Sequence, residues 1–423
     1  MRQGRTWLRD SLTDSRINPF PFRRWLADYD LKKLRADARA GGTVALLDIP
    51  QGMAYAAVAG LPLQFGTTCS AIAGMVGSLF TGSRFTVLGP TNATAFMIFS
   101  YFATEPHLDR VALMPLLVFM VSALLLVGAY LRVAELAQYI SRTVVVAYVT
   151  GASVLIIANQ AAHILGVPLT VQTEDGTTFQ PRTLPGIIVQ LFKGLGEAHW
   201  QSLALAGVTA GLYMVVRKLR PAWPALALAL ILASLAAVGM RSLDIDVATF
   251  ADAKFSWVDL LPPFPEFGTT KFLSDFSRLF GLAVAIAFLS TVESSSMAKT
   301  MSGVQGGQRV DLNQDMFSLG MANLGCSYLS GMPCSGSLTR SALNYSSGAQ
   351  TPVAGVINGM CCLIGALTLG SAVAYVPKAA LAVLIICVAI SLINRRNIRI
   401  CLESTGGDAT SFLITFAATL MVP

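Results

Sequence analysis

The sequence predicts an all-α polytopic membrane protein with two broken helices, and three observations carry the prediction. Composition is the first: of 423 residues, 54% are hydrophobic and only 13% charged, with a mean hydropathy of +0.62. The second is length, because the apolar runs cluster near the roughly 20 residues that cross a bilayer as a helix. The third is a pair of matching interruptions, RFTVLGPTNATAF at 84–96 and GMPCSGSLTRSAL at 331–343. In each, a brief non-helical stretch ends at helix-interrupting residues, Gly89 and Pro90 in one and Pro333 and Gly336 in the other. Hydroxyl or amide side chains then open a new helix.

In chain order, residues 1–40 form a charged arm without a leading apolar stretch. That pattern argues against a secretory signal peptide and leaves the first span as its own targeting signal. Thirteen apolar runs follow. Span one (41–61) carries Gly41, Gly42, Gly52 and Gly60, and span two (66–80) carries Gly74 and Gly77, a small-residue spacing suited to close helix contact. Span three (85–103) holds the first break. Spans four (111–131) and five (143–163) are uninterrupted, and the 166–199 connection, with TEDGTTFQPRTLPG, reads as a turn-rich, solvated outer loop. Spans six (201–217) and seven (222–240) precede a long connection at 241–278. Spans eight (279–298) and nine (313–330) lead into span ten (335–347), which holds the second break. Spans eleven (351–373), twelve (377–393) and thirteen (408–423) follow.

The formal net charge of +7 falls where membrane topology places basic residues, not in a nucleic-acid patch. The arm carries Arg2, Arg5, Arg9, Arg16, Arg23, Arg24, Lys32, Lys33, Arg35 and Arg39. With that arm in the cytoplasm, alternation also places Arg217, Lys218 and Arg220, then Lys299 and Arg309, then Arg395, Arg396 and Arg399, inside. The outer connection holds Asp244, Asp246, Asp252, Asp259, Glu266 and Asp275. A multi-pass protein of the inner (plasma) membrane is expected, with a cytoplasmic N-terminus and no nucleic-acid partner. Cys69, Cys326, Cys334, Cys361, Cys362 and Cys387 lie in or beside apolar spans, Cys401 lies near a cytoplasmic end, and His107, His163 and His199 are scattered. No metal pattern, Walker loop or nucleophile elbow is present, so no catalytic residue, metal or cofactor is expected, and the reading is not an enzyme.

The spacing suggests an inverted repeat. Spans one to seven (41–240) form one set, span eight opens another (279–423), and each break falls in the third span of its set. A full second repeat takes fourteen spans, and this sequence stops inside the thirteenth, as a chain that continues further or as a short form. Half-helices that begin inside a bilayer aim unpaired N–H groups and a positive dipole end at whatever lies between them. A small anion is the natural guest of such a site, and a transporter the natural host.

The segments FPFRRWLADYDLKKLRADARAGGTVALLDIPQGMAYAAVAGLP, GSRFTVLGPTNATA, SRTVVVAYVTGASVLIIANQ and VESSSMAKTMSGVQGGQRVDLNQDMFSLGMANLGCSYLSGMPCSGSLTRSALNYSSGAQTPVAG resemble the SulP anion transporters and channels, relatives of pendrin and prestin. The resemblance runs through most of the chain. It implies seven-plus-seven inverted repeats divided into a core domain and a gate domain, a homodimer, and a cytoplasmic STAS domain after the last span. This sequence holds neither the fourteenth span nor that domain.

Individual residues then have two readings each. Gln51 and Tyr55 share one face of span one, just after Pro50: the amide can bond substrate or glue helices together, and the Tyr55 ring edge can face an anion or fill the core. Thr91 and Asn92 can cap the first half-helix or donate to an oxyanion. At the second break Ser335, Ser337 and Thr339 offer hydroxyls and Leu338 a backbone N–H. Arg340 offers a fixed charge one turn in, which raises anion occupancy, or a snorkelling side chain. The resemblance implies that the positions of Gln51, Tyr55, Ser337, Leu338 and Thr339 lie beside the anion, and that an arginine matches Arg340. Glu293, inside span eight, is costly unless paired, hydrated or protonated. It is the candidate proton-coupling site, or else a static partner of Arg340; the resemblance implies an acid there in proton-coupled members. Asp48 is a second intramembrane acid and joins Glu293 as a proton-coupling candidate; it is otherwise expected to pair with Lys299, line the pathway or reach an interface. Topology alone explains Arg84.

The expected function is secondary active transport of an inorganic or small organic anion, sulfate foremost, by proton symport, with sodium a weaker alternative and the core moving against the gate. A bicarbonate or dicarboxylate transporter, an uncoupled exchanger or channel, a nucleobase permease of like fold, and a non-transporting scaffold are the alternatives. Arg340 and the hydroxyl-rich break weigh against the neutral nucleobase.

Overall fold

The computed structural model describes residues 17–105, 107–135, 142–167, 169, 171–172, 178–179, 181, 183–219, 225–243, 245, 247–250, 270–304, 311–369 and 375–421. A short α1 (Phe22–Leu26) leads into α2 (Leu31–Ala59). The last ten residues of the predicted arm are therefore helical and continuous with span one. Two contacts explain the extension. The Asp30 side chain caps the helix by accepting from Lys33 N at 2.7 Å, and Asp37 ties its first turns to the chain before α13. Asp37 accepts from Gln350 N at 2.7 Å, Thr351 N at 3.1 Å, Thr351 Oγ1 at 2.6 Å and Tyr29 Oη at 3.2 Å. Burial, and then the Asp37 charge, push the Tyr29 hydroxyl up to about 12, so it stays a donor. The helix ends at Gly60, whose φ of 69° is the left-handed cap a glycine adopts without strain.

After α2 come α3 (Leu63–Phe80), β1 (Leu88–Pro90), α4 (Asn92–Thr104), α5 (Arg110–Tyr130) and α6 (Arg142–Leu165). The chain continues through β2 (Val171–Gln172), β3 (Thr178–Phe179), α7 (Leu184–Gly194), α8 (Trp200–Leu219) and α9 (Ala225–Arg241). The rest is α10 (Thr270–Val304), α11 (Leu312–Tyr328), β4 (Cys334–Gly336), α12 (Leu338–Ser346), α13 (Val353–Leu369), α14 (Lys378–Leu392), α15 (Arg395–Glu403) and α16 (Gly406–Met421). Six helices among the described residues are long and apolar enough to cross a bilayer, and α9 and α13 are shorter apolar helices. α4 and α12 are half-length because extended segments occupy the rest of their spans.

Helix neighbours obey an exchange rule. α3 packs on α13 as α11 packs on α5; α2 packs on α13 as α10 packs on α5. α12 meets α2 as α4 meets α10, and α8 meets α14 as α16 meets α6. Swapping each helix of the first set for its counterpart in the second reproduces every one of these contacts, the mark of an inverted repeat. One group of helices, α2, α3, α5, α10, α11 and α13, surrounds the two breaks; α6, α8, α14 and α16 form a second. The groups meet where α9 and α14 touch α2 and where α4 touches α6.

Most of the predicted glycine contacts are real. Gly52 lies against the Gly66 backbone, Gly41 against Ala354 and Asn358, Gly74 against Gly355 and Gly359, and Gly77 under Leu88. Gly42, however, faces open space, and Gly60 serves as a cap. The 166–199 connection is not all loop: Thr183 accepts from Gly186 N at 3.4 Å and starts α7, with Pro185 in its first turn. α10 begins at Thr270, so Asp275 lies within a helix. Asp244, Asp246, Asp252, Asp259, Glu266, Arg2, Arg5, Arg9, Arg16, Arg220 and Arg309 lie outside the described residues.

Candidate functional site

The two breaks meet as an antiparallel pair, β1 on β4, with Leu88 opposite Gly336, Gly89 opposite Ser335 and Pro90 opposite Cys334. Immediately after each strand the chain turns into a half-helix. Thr91 caps α4, its Oγ1 accepting from Thr94 N at 3.4 Å while Thr94 Oγ1 accepts from Thr91 N at 3.3 Å, a reciprocal capping box. Ser337 caps α12, accepting from Arg340 N at 3.4 Å. Each cap occupies the third N–H of its helix. The N–H groups of Asn92 and Ala93, and of Leu338 and Thr339, have no intrahelical acceptor, so both helix starts keep donors and a positive end for a guest.

Side chains from neighbouring helices hold the breaks in place. Asn323 of α11 brackets Cys334, accepting from its N–H at 3.0 Å and donating to its carbonyl at 3.3 Å. Ser294 Oγ of α10 accepts from Gly336 N at 3.0 Å, and Ser341 Oγ accepts from Val87 N at 3.0 Å. Thr94 Oγ1 also reaches the Pro333 carbonyl at 3.4 Å, linking the first half-helix to the second break. Asn323, Ser294, Ser341 and Thr94, and Asn358 described below, are not singled out by the sequence. Their one signal was an amide or hydroxyl inside an otherwise apolar run, as in GMANLGC and VINGMCC.

Glu293 lies on α10 beside the first cap, accepting from Thr91 Oγ1 at 3.0 Å. The cap hydroxyl therefore receives a bond from the helix and passes one to the carboxyl. Glu293 does not pair with Arg340. Arg340 is fully buried and forms its ion pair with Asp48 of α2, through Nη1 and Oδ1, while Nη2 donates to the Pro90 carbonyl at 2.7 Å. Asp48 also accepts from Ser70 Oγ at 2.7 Å and Asn358 Nδ2 at 3.0 Å. Two expectations are corrected here. Arg340 is neither a bare cation nor a snorkelling one, because an internal carboxylate neutralises it. Asp48 does not reach Lys299, which is exposed; it stands behind the first break, where the arginine fills its coordination.

The other predicted residues divide by side. Gln51, Tyr55, Thr91 and Asn92 are buried, and the buried Gln51 Oε1 has no hydrogen-bond partner among the described residues. Ser337 is half-buried, while Leu338 (45% exposed) and Thr339 open outward, so what these two offer a guest is backbone N–H. A cavity of about 650 Å³ lies where the two helix groups meet. Phe96 and Phe99 of α4 line one side, Ile156 and Gln160 of α6 another, and Arg110 and Lys378 border it. Among the described residues no carboxylate lines it, and Arg110 and Lys378 give that lining a basic character.

The sequence model of the sulfate permease family matches residues 34–415. YvdB of Bacillus subtilis (strain 168) is 28% identical over 397 residues, covering 93% of this chain and 71% of that protein. The sodium-independent sulfate anion transporter of Bos taurus is 28% identical over 425 residues, covering 94% and 68%. Sulfate transporter 4.1, chloroplastic, of Arabidopsis thaliana is 25% identical over 383 residues, and there the chain spans 54% of its relative. The transmembrane domain of a cyanobacterial bicarbonate transporter, BicA, superimposes with a TM-score of 0.78 at 18% identity, covering 93% of this chain and 96% of that one. Murine Slc26a9, an anion transporter in the inward-facing state, superimposes with a TM-score of 0.80 at 17% identity, covering 98% and 72%. At such identities the likeness shows the fold.

Proposed function

Because the chain belongs to the sulfate permease family, we propose that it is a secondary active transporter that carries a small anion across the inner membrane together with a proton, with sulfate the first substrate to test. The observation that carries this reading is the pair of capped half-helices brought together by β1 and β4, with Glu293 bonded to the first cap. An anion seated between them accepts from the N–H groups of Asn92, Ala93, Leu338 and Thr339 and from the cap hydroxyls. Gln51 and Tyr55 form the α2 wall. An ionised Glu293 repels that anion, whereas a protonated one can donate to Thr91 or to the anion itself. Proton and anion therefore favour each other's binding.

The core, built around the breaks, moves as a unit against the α6, α8, α14 and α16 group; the few contacts between the two support this. We assign the repeats to 41–240 and 279–423, the arm to the cytoplasm, and the assembly to a homodimer. Labelled sulfate uptake into proteoliposomes, with and without an inward proton gradient and with bicarbonate and fumarate as competitors, tests the reading. Uptake stimulated by the gradient and suppressed by the preferred competitor is expected. Folded protein with no uptake of labelled sulfate, with or without the gradient, contradicts it.

A further inference from the structure

Arg340 is the largest fully buried side chain among the described residues, and both its terminal nitrogens are engaged while Nε is buried without a partner. Nη1 meets Asp48, Nη2 meets the Pro90 carbonyl, and the group lies against the Gly89 backbone, behind β1. The carboxylate is held with equal care. Ser70 of α3, Asn358 of α13 and Arg340 of α12 all donate to Asp48 of α2, which is itself fully buried. Hydrogen bonds from three sides hold the carboxylate against the guanidinium. The pair is then electrically neutral, and the positive focus left for an anion is the two helix starts, about half a charge each.

We propose that Asp48 masks Arg340 and thereby sets how strongly the site prefers doubly over singly charged anions. Asp48 is a specificity-determining positioning residue: it touches no substrate and acts through the arginine. The inference rests on the anion-transport reading above. Removing the Asp48 charge leaves Arg340 exposed to the site through a low-dielectric wall. Coulomb attraction scales with the anion's charge, so at roughly 10 Å and an effective dielectric of about 20 the gain is about tenfold for a monoanion and about its square for a dianion.

Equilibrium binding of sulfate and of chloride to the purified full chain tests this in wild type, Asp48→Asn, Arg340→Gln and the double variant. The new amide in Asp48→Asn can still accept from Ser70 and Arg340, with the Asn358 amide turned over, but it removes one partner of a fully buried ion pair just as Arg340→Gln does, so folded yield is measured for both and, where a single variant does not fold, the double variant against wild type decides. The sulfate-to-chloride affinity ratio rises about tenfold in Asp48→Asn. Arg340→Gln, which strands a buried carboxylate, loses binding of both anions or fails to fold. The double variant, neutral like the native pair, returns to within a few-fold of wild type. A double variant as weak as Arg340→Gln would mean that the arginine is itself an anion ligand and overturns the inference, as does an unchanged ratio in Asp48→Asn. Wild-type protein that binds neither anion overturns the transport reading, and the inference with it.

Discussion

At the scale of residues, local chemistry was legible and distant pairing was not. Thr91 and Ser337 announce themselves because an N-cap is decided within four residues: a hydroxyl after a break, followed by a helix that lacks acceptors for its first donors. Arg340 and Asp48 are 292 positions apart, and Thr91 and Glu293 are 202 apart, so nothing in either neighbourhood names its partner. Arg340 was expected to serve as an open charge because a cation near a helix start makes sense for an anion site. The acid that cancels it was visible in the sequence without any hint of where it pointed. Thr91 supports a sharper expectation. Thr91→Val removes a cap of about 1 kcal/mol and the bond to Glu293 together, whereas Thr91→Ser keeps both. Thermal unfolding should separate the two variants, and only the valine variant should show an altered pH profile of uptake; matching profiles would dissociate the cap from the carboxyl.

At the scale of elements, the breaks were found almost to the residue, while helix starts were misplaced. α2 and α10 both begin about ten residues earlier than hydropathy suggested, because polar helix-forming sequence such as LKKLRADAR continues the helix outside the apolar span. α7 hid in a turn-rich stretch whose Thr-Leu-Pro-Gly is a helix start as well as a turn signal. The α2 extension depends on Asp37, whose loss orphans the N–H groups of Gln350 and Thr351. Asp37→Ala should cost about 2 to 3 kcal/mol, read as a lower melting temperature with sulfate affinity unchanged; a lost affinity would make the extension part of the site. The α2 and α3 contact has no room for a side chain at Gly66, where a Cβ would come to 1.8 Å from the Gly52 carbonyl oxygen. Gly66→Val should abolish folded yield in detergent. A normally folded variant would show that this contact is dispensable.

At the scale of the molecule, the repeat was suggested by the position of the breaks and is seen in the exchange of helix neighbours, which no single-sequence pattern contains. Long-range contact has to be folded before it can be counted. The basic cavity between the helix groups is likewise invisible in the sequence, since Arg110 and Lys378, which border it, lie far apart in the chain. Both sit at the first position of a helix, where a cation opposes the dipole. Their placement on a cavity that no carboxylate lines among the described residues fits the approach of an anion. Lys378→Gln should raise the apparent KM several-fold and flatten its dependence on ionic strength with maximal uptake unchanged. An unaltered salt dependence would remove the cavity from the route.

The central claim is that one carboxyl couples the proton to the anion, and Glu293→Gln tests it most directly. In proteoliposomes with an imposed inward proton gradient, the variant should fail to accumulate labelled sulfate above equilibrium while still exchanging it across the membrane at a rate within a few-fold of wild type. Gradient-driven accumulation equal to wild type in the same variant would contradict the account.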